Sequence, residues 1–132
     1  MPGVSLLAVL VGTLLGFVLG ALWYGPLFGG AWMAEHGFTE GDLKRDFSPA
    51  KTYGTTFVLG LVAAYLFGVF IGPDPEPAFA TVAGCAIGVC WVATSIATNY
   101  LFERRSGRLL LINGGYHAVR FGLIGLAFGL LG

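Results

Sequence analysis

A chain of 132 residues with 56% hydrophobic and 11% charged residues and a mean hydropathy of +0.81 is too apolar for a soluble domain of its size and belongs in a membrane. Seven basic residues balance seven acidic ones for a net charge of zero, which gives no footprint for nucleic-acid binding. The two cysteines, Cys85 and Cys90, stand at i,i+5 inside one apolar segment; this spacing suits small packing residues, not a disulfide.

Crossing a hydrocarbon core of roughly 30 Å takes about 20 apolar residues. Four segments reach that length, about residues 4–24, 49–71, 78–102 and 109–131, within a single integral membrane domain over 1–132. The first has no positive n-region and no Ala-x-Ala site after it, so it reads as a retained helix and not a secretory signal. It carries Gly12, Gly16 and Gly20 at four-residue spacing, a face that lets helix backbones approach closely. In the loop that follows, Thr39 and Asp42 form a weak capping-box pattern, and Leu43 and Phe47 at i,i+4 predict a short interfacial helix. Ser48 and Pro49 read as the N-cap and first position of the second span. The turn "GPDPEP" is tight and proline-rich and simply joins the second and third spans. Gly84 and Gly88 in the third span, and Gly125 and Gly129 in the fourth, repeat the small-residue pattern. A faint echo between "TYGTTFVLG" and "GYHAVRFGLIG" predicts two parallel helix hairpins related by an axis along the membrane normal.

The basic residues outside the spans mark two loops. Lys44, Arg45 and Lys51 lie at the first and Arg104, Arg105 and Arg108 at the third, while the N-terminus, the outer turn and the C-terminus have none. By the positive-inside rule both termini face the outside of the cell membrane and loops one and three face the cytoplasm. There the basic side chains meet the anionic head groups of membrane lipids.

The fourth span holds Asn113, Tyr116, His117 and Arg120, which share one helix face at about 100° per residue. Thr94, Ser95, Thr98 and Asn99 crowd the corresponding half of the third span. Counting inward from the loop, Asn99 falls level with Asn113, and Thr94 with His117 lies a turn or so deeper. Trp23 and Tyr24, and Tyr53, Thr55 and Thr56, lie near the same end of the first and second spans. Convergence of these faces predicts a polar vestibule open to the cytoplasm with Arg120 at its floor. Arginine near the bilayer centre costs about 2.5–3.5 kcal/mol on insertion scales, so it must face the bundle interior and find partners.

No Asp or Glu lies within any of the four segments. That leaves hydroxyls, amides, backbone carbonyls, a carboxylate reaching in from Glu103 or the first loop, or an anion from outside the protein. Two readings stay open. In one, Arg120 contacts a ligand, with His117, Asn113, Tyr116, Asn99, Thr98, Thr94, Tyr24 and Tyr53 supplying hydrogen bonds. In the other, it cross-links helices and binds nothing. His117 has no acidic group to orient it as a base, and Trp23, Tyr24, Trp32 and Tyr53 also suit an aromatic belt. Paired carboxylates, a nucleophile beside a base and a metal-ligand cluster are all missing from the pattern, so no catalytic residue, metal or cofactor is expected.

Two longer motifs add a resemblance. "ALWYGPLFGGAW" after the first span and "NYLFERRSGRLLLINGGYH" bridging the third and fourth resemble the domain of unknown function 1761 family of small prokaryotic integral membrane proteins, over most of the chain. The matching positions are Trp23, Tyr24, Gly25, Pro26, Phe28 and Trp32, then Asn99, Phe102, Glu103, Arg104, Asn113, Gly115, Tyr116 and His117. The resemblance implies a compact four-span protein of the cell envelope and brings no settled activity. Arg120 departs from the family pattern, so a family-wide function is implied to rest on Asn113, Tyr116 and His117 more than on it.

The expected architecture is all-α, a four-helix transmembrane bundle with both termini outside that assembles as a homo-oligomer. The expected function is binding or transport of a small solute, ion or lipid head group, with a small anionic ligand at Arg120. The alternative is a structural or accessory membrane subunit that assembles through its glycine-rich faces.

Overall fold

The computed structural model describes residues 4–39, 41–42 and 48–132. In chain order their helices are α1 (Leu6–Leu27), α2 (Gly29–His36), α3 (Pro49–Ile71), α4 (Pro77–Glu103) and α5 (Gly107–Leu131). Of these, α1, α3, α4 and α5 are long and apolar enough to cross a membrane, and the described residues contain no strand.

Serines start three of the helices. Ser5 accepts from the Ala8 amide at 3.1 Å, Ser48 from Lys51 at 3.3 Å and Ser106 from Leu109 at 3.0 Å, each satisfying an amide that the first turn leaves without a helical partner. Pro49 and Pro77 occupy first-turn positions, where a missing N–H costs nothing. The capping box of the first loop also forms: the Thr39 amide donates to Asp42 Oδ2 at 2.9 Å and the Asp42 amide to Thr39 Oγ1 at 3.1 Å. These bonds hold the Asp42 carboxyl below its usual value. Leu43 and Phe47, on which the interfacial helix was expected, lie outside the described residues.

α5 is the hub of the bundle. On one side it meets α4 backbone to backbone: a Cβ on Gly84 would overlap the Phe121 carbonyl, one on Gly125 the Ala80 carbonyl, and one on Gly129 the Pro77 Cα. Gly88 lies against Ala118 and Gly122 against the Cys85 sulfur. On its other side α5 meets α1, where Gly12 faces Ile124, Gly16 the Arg120 side chain and Gly20 the Tyr116 hydroxyl, each at 3.4 Å from a built Cβ. All seven glycines of the sequence stripes thus face another span of the same chain.

The hairpins pack unequally. Residues 49–59 of α3 are exposed except for half-buried Phe57, whose ring lies 5.9 Å from that of Phe17. Deeper down α3 joins the bundle: Gly60 abuts Thr13, Gly68 lies under Phe128, and the Phe67 and Phe128 rings stand 5.8 Å apart. There Ala8, Val9, Ala64, Phe67, Phe121, Ile124 and Phe128 form the apolar core.

Two π-helical turns change the phase of the helices that contain them. At Trp23–Leu27, Pro26 has no N–H to give, and the ladder re-registers so that the Phe28 amide donates to the Trp23 carbonyl at 2.7 Å. The second spans Gly88–Ala93 in α4. One extra residue in a turn rotates everything after it by about 100° relative to an unbroken α-helix.

Glycine contacts of this kind are sensitive to a single methyl. Gly125→Ala is expected to lower the thermal midpoint in detergent, an overpacking cost of about 1–3 kcal/mol. Gly54→Ala, with nothing within 4 Å of the added Cβ, leaves it unchanged or raises it through helix propensity by up to about 1 kcal/mol. Circular-dichroism melts of both variants check this, and equal midpoints would contradict the close approach of α4 to α5.

Candidate binding site

Loops one and three meet at one end of the bundle. The Ser106 hydroxyl donates to the Glu35 carboxylate, Arg105 Nη1 approaches His36 Nδ1 at 3.5 Å, and Arg105 Nε lies 3.8 Å from the Glu103 carboxylate. From this end a cavity of about 910 Å³ runs down between α1, α3 and α5. It exists because residues 49–59 of α3 stand away from the other helices while the deeper half of α3 packs against them.

Tyr24, Thr52 and Tyr53 line the upper part of the cavity, Phe17, Thr56 and Leu59 its walls, and Thr13, Gly60 and Arg120 its floor. Thr52 and Gly60 are eight residues apart on α3, a depth of about 12 Å. The guanidinium of Arg120 fits where Gly16 and Gly60 leave room: a Cβ on Gly16 would come 3.4 Å from Nε and one on Gly60 3.9 Å from Nη2. Its Cζ also lies 4.9 Å from the Phe121 ring centroid, a cation–π contact. Among the described residues no carboxylate pairs with Arg120. Glu103, a partner considered from the sequence, is at the far end of α4 beside Arg105.

His117 also lines the cavity, and its Nδ1 is buried without a hydrogen-bond partner among the described residues. Tyr116 has a different arrangement, because its hydroxyl donates to the Gly16 carbonyl at 2.9 Å. The cavity floor therefore presents the Arg120 guanidinium, with no carboxylate partner among the described residues, and the His117 imidazole.

A second polar group lies behind the cavity and is closed on itself. Tyr24 donates to Asn113 Oδ1 at 2.7 Å, Asn113 Nδ2 donates to the Tyr100 hydroxyl at 2.6 Å, and Trp23 Nε1 donates to the Ile112 carbonyl at 2.8 Å. Trp23, Tyr24 and Trp32, expected as an interfacial belt, also stack inward, with Tyr24 5.3 Å from Tyr116 and 6.2 Å from Trp32.

Thr94, Thr98 and Asn99 do not reach the cavity. All three are exposed on the outer side of α4, as is Ser95, and Thr94, Ser95 and Thr98 return their hydroxyls to carbonyls of their own helix at 2.5–3.0 Å for the shortest bond of each. For Ser95 and Asn99 the physical reason is the π-helical turn at Gly88–Ala93. An unbroken helix would carry Ser95 and Asn99 onto the Gly84–Gly88 face, but the extra residue turns them outward and brings Ala93, Ile96 and Tyr100 inward. Tyr100 thereby takes the position beside Asn113 that the residue count assigns to Asn99. Thr13 and Gly60 also escaped the sequence reading. The signal for Thr13 was present, since it is a lone polar residue beside Gly12 in the apolar run of α1; Tyr100 and Gly60 carried no comparable mark.

Fold and site together define a small α-helical bundle with four helices able to cross a membrane and a donor-lined cavity sunk into one end. The chain belongs to the family described as protein of unknown function DUF1761, whose family model matches residues 7–129. No curated protein and no solved structure matches the chain.

Removing Asn113 would strip the Tyr24 hydroxyl of its acceptor and Tyr100 of its donor. Asn113→Ala is expected to cost about 1–3 kcal/mol of stability, whereas Thr98→Val, on the exposed side, changes the melting midpoint little. Thermal unfolding of both in one detergent tests the contrast. The loop contact adds a pH dependence. Burial, and then Arg105, hold the His36 imidazole below its ordinary value. The folded protein thus binds that proton less readily than the unfolded chain, so the contact contributes fully above the ordinary imidazole range and is lost as pH falls through the lowered value. Arg105→Gln is expected to raise the His36 titration midpoint, read from its imidazole NMR signals; an unchanged midpoint would rule out the contact in solution.

Proposed function

We propose that the protein binds a small anionic solute or head group in this cavity, admitted from the end that carries loops one and three. The carrying observation is Arg120: a guanidinium on the floor of a large cavity, with no carboxylate partner among the described residues. A cation held in a low-dielectric site needs an opposite charge or several acceptors, and a bound carboxylate or phosphate supplies both through charge-assisted bonds. His117 lines the same cavity and places a second polar side chain beside the guanidinium. With the basic loops in the cytoplasm and both termini outside the cell membrane, the cavity opens to the cytoplasm and reaches about halfway across. That geometry suits a binding protein or one access state of a transporter.

Assembly through glycine faces, the alternative function, finds less support, because the glycines of the three stripes are occupied by contacts within the chain.

Native mass spectrometry of protein extracted in mild detergent is the test. Wild type is expected to retain or take up an anionic mass that an equally folded Arg120→Gln variant lacks, with affinity lower by about tenfold or more. Wild-type protein that takes up no anion, with a melting point unmoved by a panel of short carboxylates and phosphates, would overturn the proposal.

A further inference from the structure

We infer that the anion is the head group of a membrane-resident amphiphile, which enters the cavity from the lipid between α3 and α5 and leaves its apolar chain lying in that opening. The inference rests on the anion-binding reading of Arg120 and adds the ligand class and the route.

Size is the first support. A cavity of about 910 Å³ falls near the top of the roughly 300–1,000 Å³ range of organic-ligand sites, far beyond what an inorganic anion needs. The lining is the second. Charge gathers at the floor, on Arg120, whereas the walls above combine the apolar surface of Phe17, Gly20, Ala21 and Leu59 with Tyr24 and Thr56, whose hydroxyls are already donated to Asn113 and to the Thr52 carbonyl. Such a wall offers little to a solute that is polar throughout, and its apolar side buries a hydrocarbon chain at about 25 cal/mol per Å².

The opening is the third support. The Phe17–Phe57 ring pair bridges α1 to α3. Between α3 and α5 the Gly60 backbone reaches the end of the Arg120 side chain, and ring packing comes deeper, at Gly68 and Phe67 against Phe128. Over residues 49–59 α3 is exposed apart from half-buried Phe57, and Leu59, at the deep end of that stretch, both lines the cavity and remains 63% exposed. Leu59 therefore stands at the lip of a slot that faces lipid tails in a bilayer. An amphiphile can slide through it head first, with its acid meeting Arg120 beside His117 and its chain never crossing water. A water-soluble anion gains nothing from a lateral opening.

The test uses the full chain in mild detergent as wild type, Arg120→Gln and Leu59→Trp, each incubated with oleate, with propionate or with inorganic phosphate and then analysed by native mass spectrometry and thermal melting. Oleate is expected to bind wild type one to one and raise its melting point, while propionate and phosphate stay at background. Arg120→Gln should reduce oleate occupancy about tenfold or more, and Leu59→Trp, which leaves the floor intact, should slow loading several-fold. Retention of propionate or phosphate without oleate would overturn the amphiphile and leave the anion site standing. Oleate held equally by Arg120→Gln, or no adduct of any kind, would overturn both readings. Unslowed loading of Leu59→Trp would overturn the lateral route. Should Arg120→Gln fail to fold, the comparison of oleate with propionate on wild type, together with Leu59→Trp, still decides the matter.

Discussion

Backbone contact at glycine is the constraint on which the rest of this bundle depends. In a bilayer the apolar surfaces of helices gain little by leaving lipid for one another, so association relies on close packing of small residues. α5 uses this on two sides at once, with Gly122, Gly125 and Gly129 against α4 and with Tyr116, Arg120 and Ile124 set into the glycines of α1. The long polar side chains of α5 are accommodated because α1 offers no side chains opposite them. Gly16 in particular leaves the space in which an arginine lies along a neighbouring helix. α3 takes no such part over residues 49–59, and the space it leaves becomes the cavity.

The polar interior divides into a satisfied set and an unsatisfied one. Tyr24, Asn113 and Tyr100 form a chain of hydrogen bonds, and Trp23 and Tyr116 each donate to a backbone carbonyl on another helix. Groups paired in this way hold α1, α4 and α5 in register and have little left to offer a ligand. Arg120 and His117 differ, since one is a charge without a counter-charge among the described residues and the other a ring with an orphaned nitrogen. The family resemblance placed weight on Asn113, Tyr116 and His117. In the structure the first two spend their bonds inside the protein, whereas His117 lines the cavity with its Nδ1 unpartnered among the described residues.

The periodicity of the sequence made the spans, their caps at Ser48 and Pro49, the glycine faces and the polar stripe of α5 legible, because all of these depend on residues near one another in the chain. The stripe of α4 was misleading for a definite reason. Residue counts assume about 100° per residue throughout, and the π-helical turn at Gly88–Ala93 adds one residue to that count, which moves Ser95 and Asn99 outward and Tyr100 inward. Thr94 and Thr98 lie roughly 60–100° off the middle of the glycine face even in an unbroken helix. The turn lies in an apolar run with no proline, so composition left no mark of it. At Trp23–Leu27 the mark was there, in Pro26, but the proline announces a disrupted ladder without saying how the ladder re-forms.

By itself, then, the sequence determined the class of protein, the number of membrane-length helices, the faces along which they approach and the presence of an arginine that must turn inward. These follow from hydrophobic length, small-residue spacing and the cost of a charge in hydrocarbon, all of them local quantities. Only the tertiary structure decided which polar residues meet. It joined Tyr24 and Tyr100 to Asn113, set Arg120 between Gly16 and Gly60, and left one side of α3 open. Those outcomes depend on helix phase and on where one helix stops touching another, and both are properties of the packed bundle that no single span encodes.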